Sequence, residues 1–211
     1  MEPIVKQREI LKQEYNDYII KGISYIQYKI RMAEDLDSNK DEKIKSYIKL
    51  NQSRMHRVEK TYTISEEIKK QLKSLRHKTY WLVLTEHWCG DASQSLPVFN
   101  AIAEASNGMI AMKLVYRDQH PELMNAYLTD GTRSIPKLIQ LGRHFNVTGI
   151  WGPRPSTAQK MVKELKSNPA TAATYANELH LWYAKNKQKS LEIEIEKLLF
   201  RANLFCLECL S

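Results

Sequence analysis

Cysteine is scarce: three in 211 residues, at positions 89, 206 and 209. They form no disulfide framework, which fits a reducing compartment. Cys206-Leu207-Glu208-Cys209 offers two thiolate ligands without a second cysteine pair or a matching histidine spacing, so no metal site is expected. No stretch approaches the run of about 20 apolar residues that spans a bilayer. The first ten residues, MEPIVKQREI, lack the apolar core of a signal peptide. Membrane insertion and export are therefore not expected, and a cytoplasmic location is. Internal repeats and low-complexity tracts are missing too, which excludes a solenoid or a disordered tail as the main architecture.

What is present is ordinary for a globular chain: 43% hydrophobic and 27% charged residues. The net charge of +8 comes from 32 basic against 24 acidic residues. The lysines are interleaved with glutamates along helical segments, and no aromatic platform accompanies a basic stripe. Solvated helix faces account for the excess, and nucleic-acid binding is not expected.

Residues 5–33 place Tyr15, Ile19, Ile23, Ile26 and Ile30 at helical spacing, with Gly22 a weak point. A second helix begins near Asp41, with Ile44, Tyr47, Ile48, Met55 and Val58 on one side. Thr63 and Glu66 have the spacing of a capping box for a third. This all-helical extension, residues 1–65, reads either as a collar packed on a sheet or as a lid or partner surface. Tyrosine and isoleucine at this spacing favour the collar. Tyr80–Thr85 is then a buried strand, and Asp91–Ala105 an amphipathic helix. A lone cysteine, Cys89, sits where the strand hands over to the helix N-terminus, a place that favours a thiolate.

Trp88-Cys89-Gly90-Asp91-Ala92 resembles the thioredoxin active-site motif Trp-Cys-Gly-Pro-Cys, with Asp91 for the proline and Ala92 for the second cysteine. Pro97 falls where thioredoxins carry a helix-kinking proline. Gly131-Thr132-Arg133-Ser134-Ile135-Pro136 resembles the segment ending in the thioredoxin cis-proline, and Lys137–Leu141 the strand after it. The resemblance covers roughly residues 66–168 and is nearest to bacterial thioredoxin-like proteins with a helical N-terminal extension and a Cys-Gly-Asp motif. It implies an α/β thioredoxin fold, a mixed central sheet flanked by helices, between the extension and a helical tail at 169–211. The remaining elements agree: strand Met109–Tyr116, a short helix from Pro121, a hairpin with a strand Phe145–Trp151, and a helix after Ser156.

Dithiol exchange needs an attacking thiolate and a second thiol that resolves the mixed disulfide. Cys89 fills the first role and Ala92 cannot fill the second. The carboxylate of Asp91 opposes a thiolate, and Val83 stands where many thioredoxins bury a proton-relaying aspartate. Glu86 and His87 read as solvated surface residues. The resemblance makes Cys89 the catalytic candidate, with Trp88, Gly90, Asp91, Ile135 and Pro136 around the substrate and Arg117, Asp118 and Arg133 on the same edge. Cys206 and Cys209 are candidates to resolve Cys89, although an apolar helical tail also buries cysteines by packing.

Two functions follow. One is monothiol thiol–disulfide exchange through Cys89 in redox homeostasis, acting on a disulfide-containing or glutathionylated protein or a small thiol, with no cofactor. The alternative is a non-catalytic module that holds a peptide or protein in the groove beside Trp88 and Pro136. A glutathione-transferase architecture is disfavoured, because the main helical extension precedes the thioredoxin-like segment.

Overall fold

The computed structural model describes residues 9–208, with side chains described as far as residue 204. Its N-terminal third is helical, but the first helix is two. α1 (Lys12–Lys21) stops at Gly22, and α2 (Tyr25–Ser38) restarts from a capping box in which Ser24 Oγ accepts from Gln27 N–H and Gln27 Oε1 from Ser24 N–H. A Cβ on Gly22 would stand 2.8 Å from Tyr18 O and 2.9 Å from Lys113 Cβ, so only glycine lets the chain pass. The break changes which side faces inward. Tyr25, Tyr28 and Met32 are buried, while Ile26 and Ile30 are 67% and 54% exposed, which corrects the expected stripe.

α3 (Glu42–Thr61) starts at Asp41, whose carboxylate accepts from the Lys43 and Ile44 N–H groups. Its Ile48, Met55 and Val58 are buried as expected, but Tyr47 is exposed. α4 (Glu66–Lys73) is capped by Ser65, which accepts from Ile68 N–H at 3.3 Å, and not by Thr63.

The four-stranded sheet has the order β2-β1-β3-β4. β1 (Thr79–Thr85) runs parallel to β2 (Ile110–Tyr116) and antiparallel to β3 (Lys137–Leu141), and β4 (Val147–Trp151) completes an antiparallel hairpin. β4 starts later than expected because Phe145, at φ +58°, belongs to the turn. Parallel β1 and β2 require a crossover, and α5 (Gly90–Ala105) supplies it. Residues 91–99 of α5 are all buried, because the sheet lies on one side and α3 packs along another. α6 (Pro121–Ala126) follows β2 after one 3₁₀ turn.

After β4 come α7 (Ser156–Ser167), α8 (Tyr175–Asn186) and α9 (Lys189–Glu208). Two α9 glutamates bind other helix starts. Glu192 Oε1 accepts from Tyr62 OH and Ser65 N–H, and Glu194 from Trp151 Nε1–H and from the Ser156 N–H and Oγ–H. The main apolar core runs from Ile10 to Leu199 through the sheet, and a smaller cluster joins Ala158 and Val162 of α7 to Leu179 and Tyr183 of α8. Among the described residues no helix is long and apolar enough to cross a membrane.

Candidate functional site

Cys89 is the N-cap of α5 and only 6% exposed. Its thiol accepts from Ala92 N–H at 3.4 Å and donates to Ile135 C=O at 3.3 Å. Burial first and the Asp91 carboxylate second push its pKa up to about 12, outweighing the α5 amides and Arg154. Of the two opposing influences expected from the sequence, the helix terminus and Asp91, burial sides with Asp91. The neighbouring loop is tightly fitted. Ile135–Pro136 and Gly152–Pro153 are cis peptides, and Gly152, at φ +121°, packs so close that a Cβ there would lie 2.1 Å from Pro136 O.

Asp91 lies in the first turn of α5, where a carboxylate complements the helix dipole. It is not free to act on the thiol alone. Arg154 donates from Nε to both carboxylate oxygens at 3.1 Å and from Nη2 to Oδ2 at 2.6 Å, and Tyr183 OH donates to Oδ1 at 2.6 Å. Both partners lie beyond the sheet in sequence, in the loop after β4 and on α8. Burial and the Asp91 charge hold the Tyr183 hydroxyl protonated, with its pKa well above the ordinary value.

The N-terminal helices clamp the residues before Cys89. His87 is buried, which corrects its assignment to the solvated surface. Its Nδ1 meets Asp35 Oδ2 of α2 at 2.7 Å, its Nε2 meets Tyr116 OH at 2.9 Å, and its carbonyl accepts from Asn51 Nδ2 of α3 at 3.0 Å. Burial lowers the His87 pKa against the pull of Asp35. Glu86 is half-buried; its carbonyl accepts from Tyr28 OH and its carboxylate from Asp118 N–H. Burial lifts its pKa to about 6.

An open cleft of about 610 Å³ lies over this ground. Cys89, Gly90 and Asp91 form its base, with Trp88, Arg133 and Ile135 on one side. Tyr47, Leu50 and Arg54 of α3 and Leu179 and His180 of α8 complete it. The cleft therefore brings together Trp88, Cys89, Gly90, Asp91 and Ile135, while Pro136, the next residue, is buried and not part of the lining. Arg117 stacks its guanidinium 4.9 Å from the centre of the Trp88 ring and pairs with Asp118, which points away from the lining. Cys209 and the Cys206 side chain lie outside the described residues. Among the described residues no three histidine, cysteine or acidic side chains gather into a metal site.

Sequence reasoning missed Arg54, Arg154, His180 and Tyr183, which reach the site only through tertiary packing. Arg154 alone carried a local sign, an arginine fixed between Pro153 and Pro155.

A parallel β1–α5–β2 crossover, an antiparallel β3–β4 hairpin and a helix after it, with Cys89 facing Ile135, form a recognisable arrangement. The model of a family described as thioredoxin matches residues 38–166. The chain belongs to the thioredoxin family. The matched segment starts at the end of α2, so α3 lies within it. No curated protein matches the sequence. Among solved structures, a protein of unknown function from Pseudomonas aeruginosa is similar at 13% identity and a TM-score of 0.53. An HIV epitope scaffold is similar at 12% identity and 0.55. Each match covers 92% of this chain and 98% of the other, so the shared fold takes in helical segments outside the thioredoxin match.

Proposed function

We propose that this thioredoxin-family chain is a binding module, in which the cleft beside Trp88 and Pro136 holds a peptide or protein segment and Cys89 rests as a neutral thiol. The observation that carries the reading is the state of Cys89, 6% exposed and bonded to Ile135 C=O, where burial and the Asp91 carboxylate push its pKa up. At neutral pH such a thiol is ionised far less often than a free cysteine. The lining of the cleft adds support, since α3 and α8 supply much of it from outside the strand–helix–strand unit. The competing reading, monothiol exchange, rests on the place of Cys89 at the start of α5 beside Pro136.

Alkylation of Cys89 by iodoacetamide against pH, in a Cys206→Ser/Cys209→Ser background, separates the two. A binding module gives a rate that is slow at neutral pH and still climbing, without a plateau, at about pH 10. A thiol titrating below the ordinary value of about 8.5 would overturn this reading in favour of exchange.

A further inference from the structure

The charge of the cleft is lopsided. Arg54, Arg117, Arg133 and Arg154 line it against one carboxylate, Asp91. Arg154 and Asp91 neutralise each other, and Arg117 is paired with Asp118. Arg54 and Arg133 have no carboxylate partner among the described residues. Each donates to a neutral asparagine oxygen instead, Arg54 to Asn51 and Arg133 to Asn125, both at 2.9 Å. Burial and then Arg57 lower the pKa of half-buried Arg54, and the attraction of Asp91, which forms no ion pair with it, does not offset them.

A second polar group next to Arg54 is also unused. His180 Nδ1 is shut off from solvent with no hydrogen-bond partner. Both side chains stand over Gly90, where a Cβ would meet His180 Cε1 at 3.0 Å and Arg54 Nη1 at 3.3 Å. Apolar surface stands beside these groups: Tyr47 and Leu50 are 43% and 47% exposed, and Trp88 lines the same cleft.

We infer that the occupant of this cleft is an acidic, extended peptide segment of a partner protein, its carboxylates pairing with Arg54 and Arg133 and its apolar side chains lying on Tyr47, Leu50 and Trp88. The inference rests on the binding-module reading and adds the chemical class of the ligand. Half-buried Arg54 on α3 and exposed Arg133 in the loop before Pro136 offer two guanidiniums to carboxylates from separate elements. The apolar lining calls for side chains that an oxyanion lacks. A segment with acidic and apolar side chains on both of its sides supplies both: Arg54 stands on α3 with Tyr47 and Leu50, and extended backbone sends successive side chains to opposite sides.

The test is calorimetric titration of the full chain with acetyl-Glu-Glu-Val-Val-Glu-Glu-amide, which when extended carries both residue types on each side, and with its neutral glutamine counterpart. The acidic peptide is expected to bind about tenfold tighter, the sum of a few partly exposed ion pairs. Arg54→Gln and Arg133→Gln are each expected to weaken the acidic peptide about threefold while leaving the glutamine peptide unchanged. Thermal melts of both variants verify that the fold is intact. Equal affinity for the two peptides would overturn the acidic assignment and leave the binding module standing. Binding of neither would overturn both. Displacement of the acidic peptide by inorganic phosphate, but not by sodium chloride of equal ionic strength, would assign the cleft to a compact oxyanion and overturn the inference.

Discussion

Substituting methionine for Arg154 removes every guanidinium donor from the Asp91 carboxylate and keeps a side chain of comparable length. The two side chains are only 14% and 9% exposed, so the pair stands well inside the protein. After the change Asp91 keeps the Tyr183 hydroxyl and is otherwise a buried anion. An exposed ion pair would lose about 0–1 kcal/mol. Breaking a buried pair by deleting one partner costs about 3–5 kcal/mol, because the other charge is stranded. Against a typical total stability of about 5–15 kcal/mol, that is a large share.

Urea unfolding followed by circular dichroism at neutral pH measures the loss. The double variant Asp91→Asn/Arg154→Met no longer buries a charge and is expected to recover at least about half of it. The thiol gives an independent readout. Asp91 raises the Cys89 pKa and Arg154 lowers it, so Arg154→Met slows alkylation of Cys89 and Asp91→Asn speeds it. A loss below about 1 kcal/mol for Arg154→Met would show that the pair behaves as a solvated one and would refute the burial argument. A double variant less stable than the single one would refute it as well.

Gly152→Ala forces a Cβ into Pro136 O at a backbone angle that disfavours side chains, and should cost about 2–4 kcal/mol in thermal or urea unfolding. The amide resonances of Ile135 and Trp88 should move with it, and an unperturbed spectrum would deny the contact. His180 titrates near pH 4, held down by burial and then by Arg54. Its folded pKa is below the unfolded value, so the stability it contributes is complete above about pH 6.5 and is lost as pH falls towards 4. Discounted for its partial exposure, the change is about 1–2 kcal/mol. Glu86 opposes it, since a carboxyl raised to about 6 costs stability as pH rises from 4.5. The quantity to measure is therefore the difference between the native chain and His180→Gln across pH 4–7. A flat difference would contradict the environment assigned to His180.

The thioredoxin fold was legible because its signals are local. The apolar run Tyr80–Thr85, the break at Cys89-Gly90 and the periodicity of Leu96, Phe99 and Ile102 name a strand, a turn and a helix without tertiary information. Cys89 and Ile135 could be brought together only through the family resemblance, since no periodicity reaches across the 46 positions that separate them. Ile26 and Ile30 misled because one glycine restarts the helix, which turns a continuous stripe outward. His87 and Glu86 looked solvated because their partners, Asp35, Tyr28 and Asn51, lie on other helices. The ionisation of Cys89 was not legible for the same reason: the helix terminus and the opposing Asp91 are visible in sequence, whereas the burial that joins Asp91 comes from the whole fold.

The single pairing of Ile23 with Leu114, two backbone hydrogen bonds of 2.9 Å, has a consequence for solubility. β2 has β1 on one side only, so its other side would be a row of open backbone donors and acceptors. Such an edge is a template for joining the sheets of separate molecules. Gly22 and Ile23 lay the helix break across that edge and let a short crossing do the work of a strand. The N-terminal helices therefore guard the sheet against self-association, and a chain trimmed of everything before Ser24 would be prone to form β-rich aggregates.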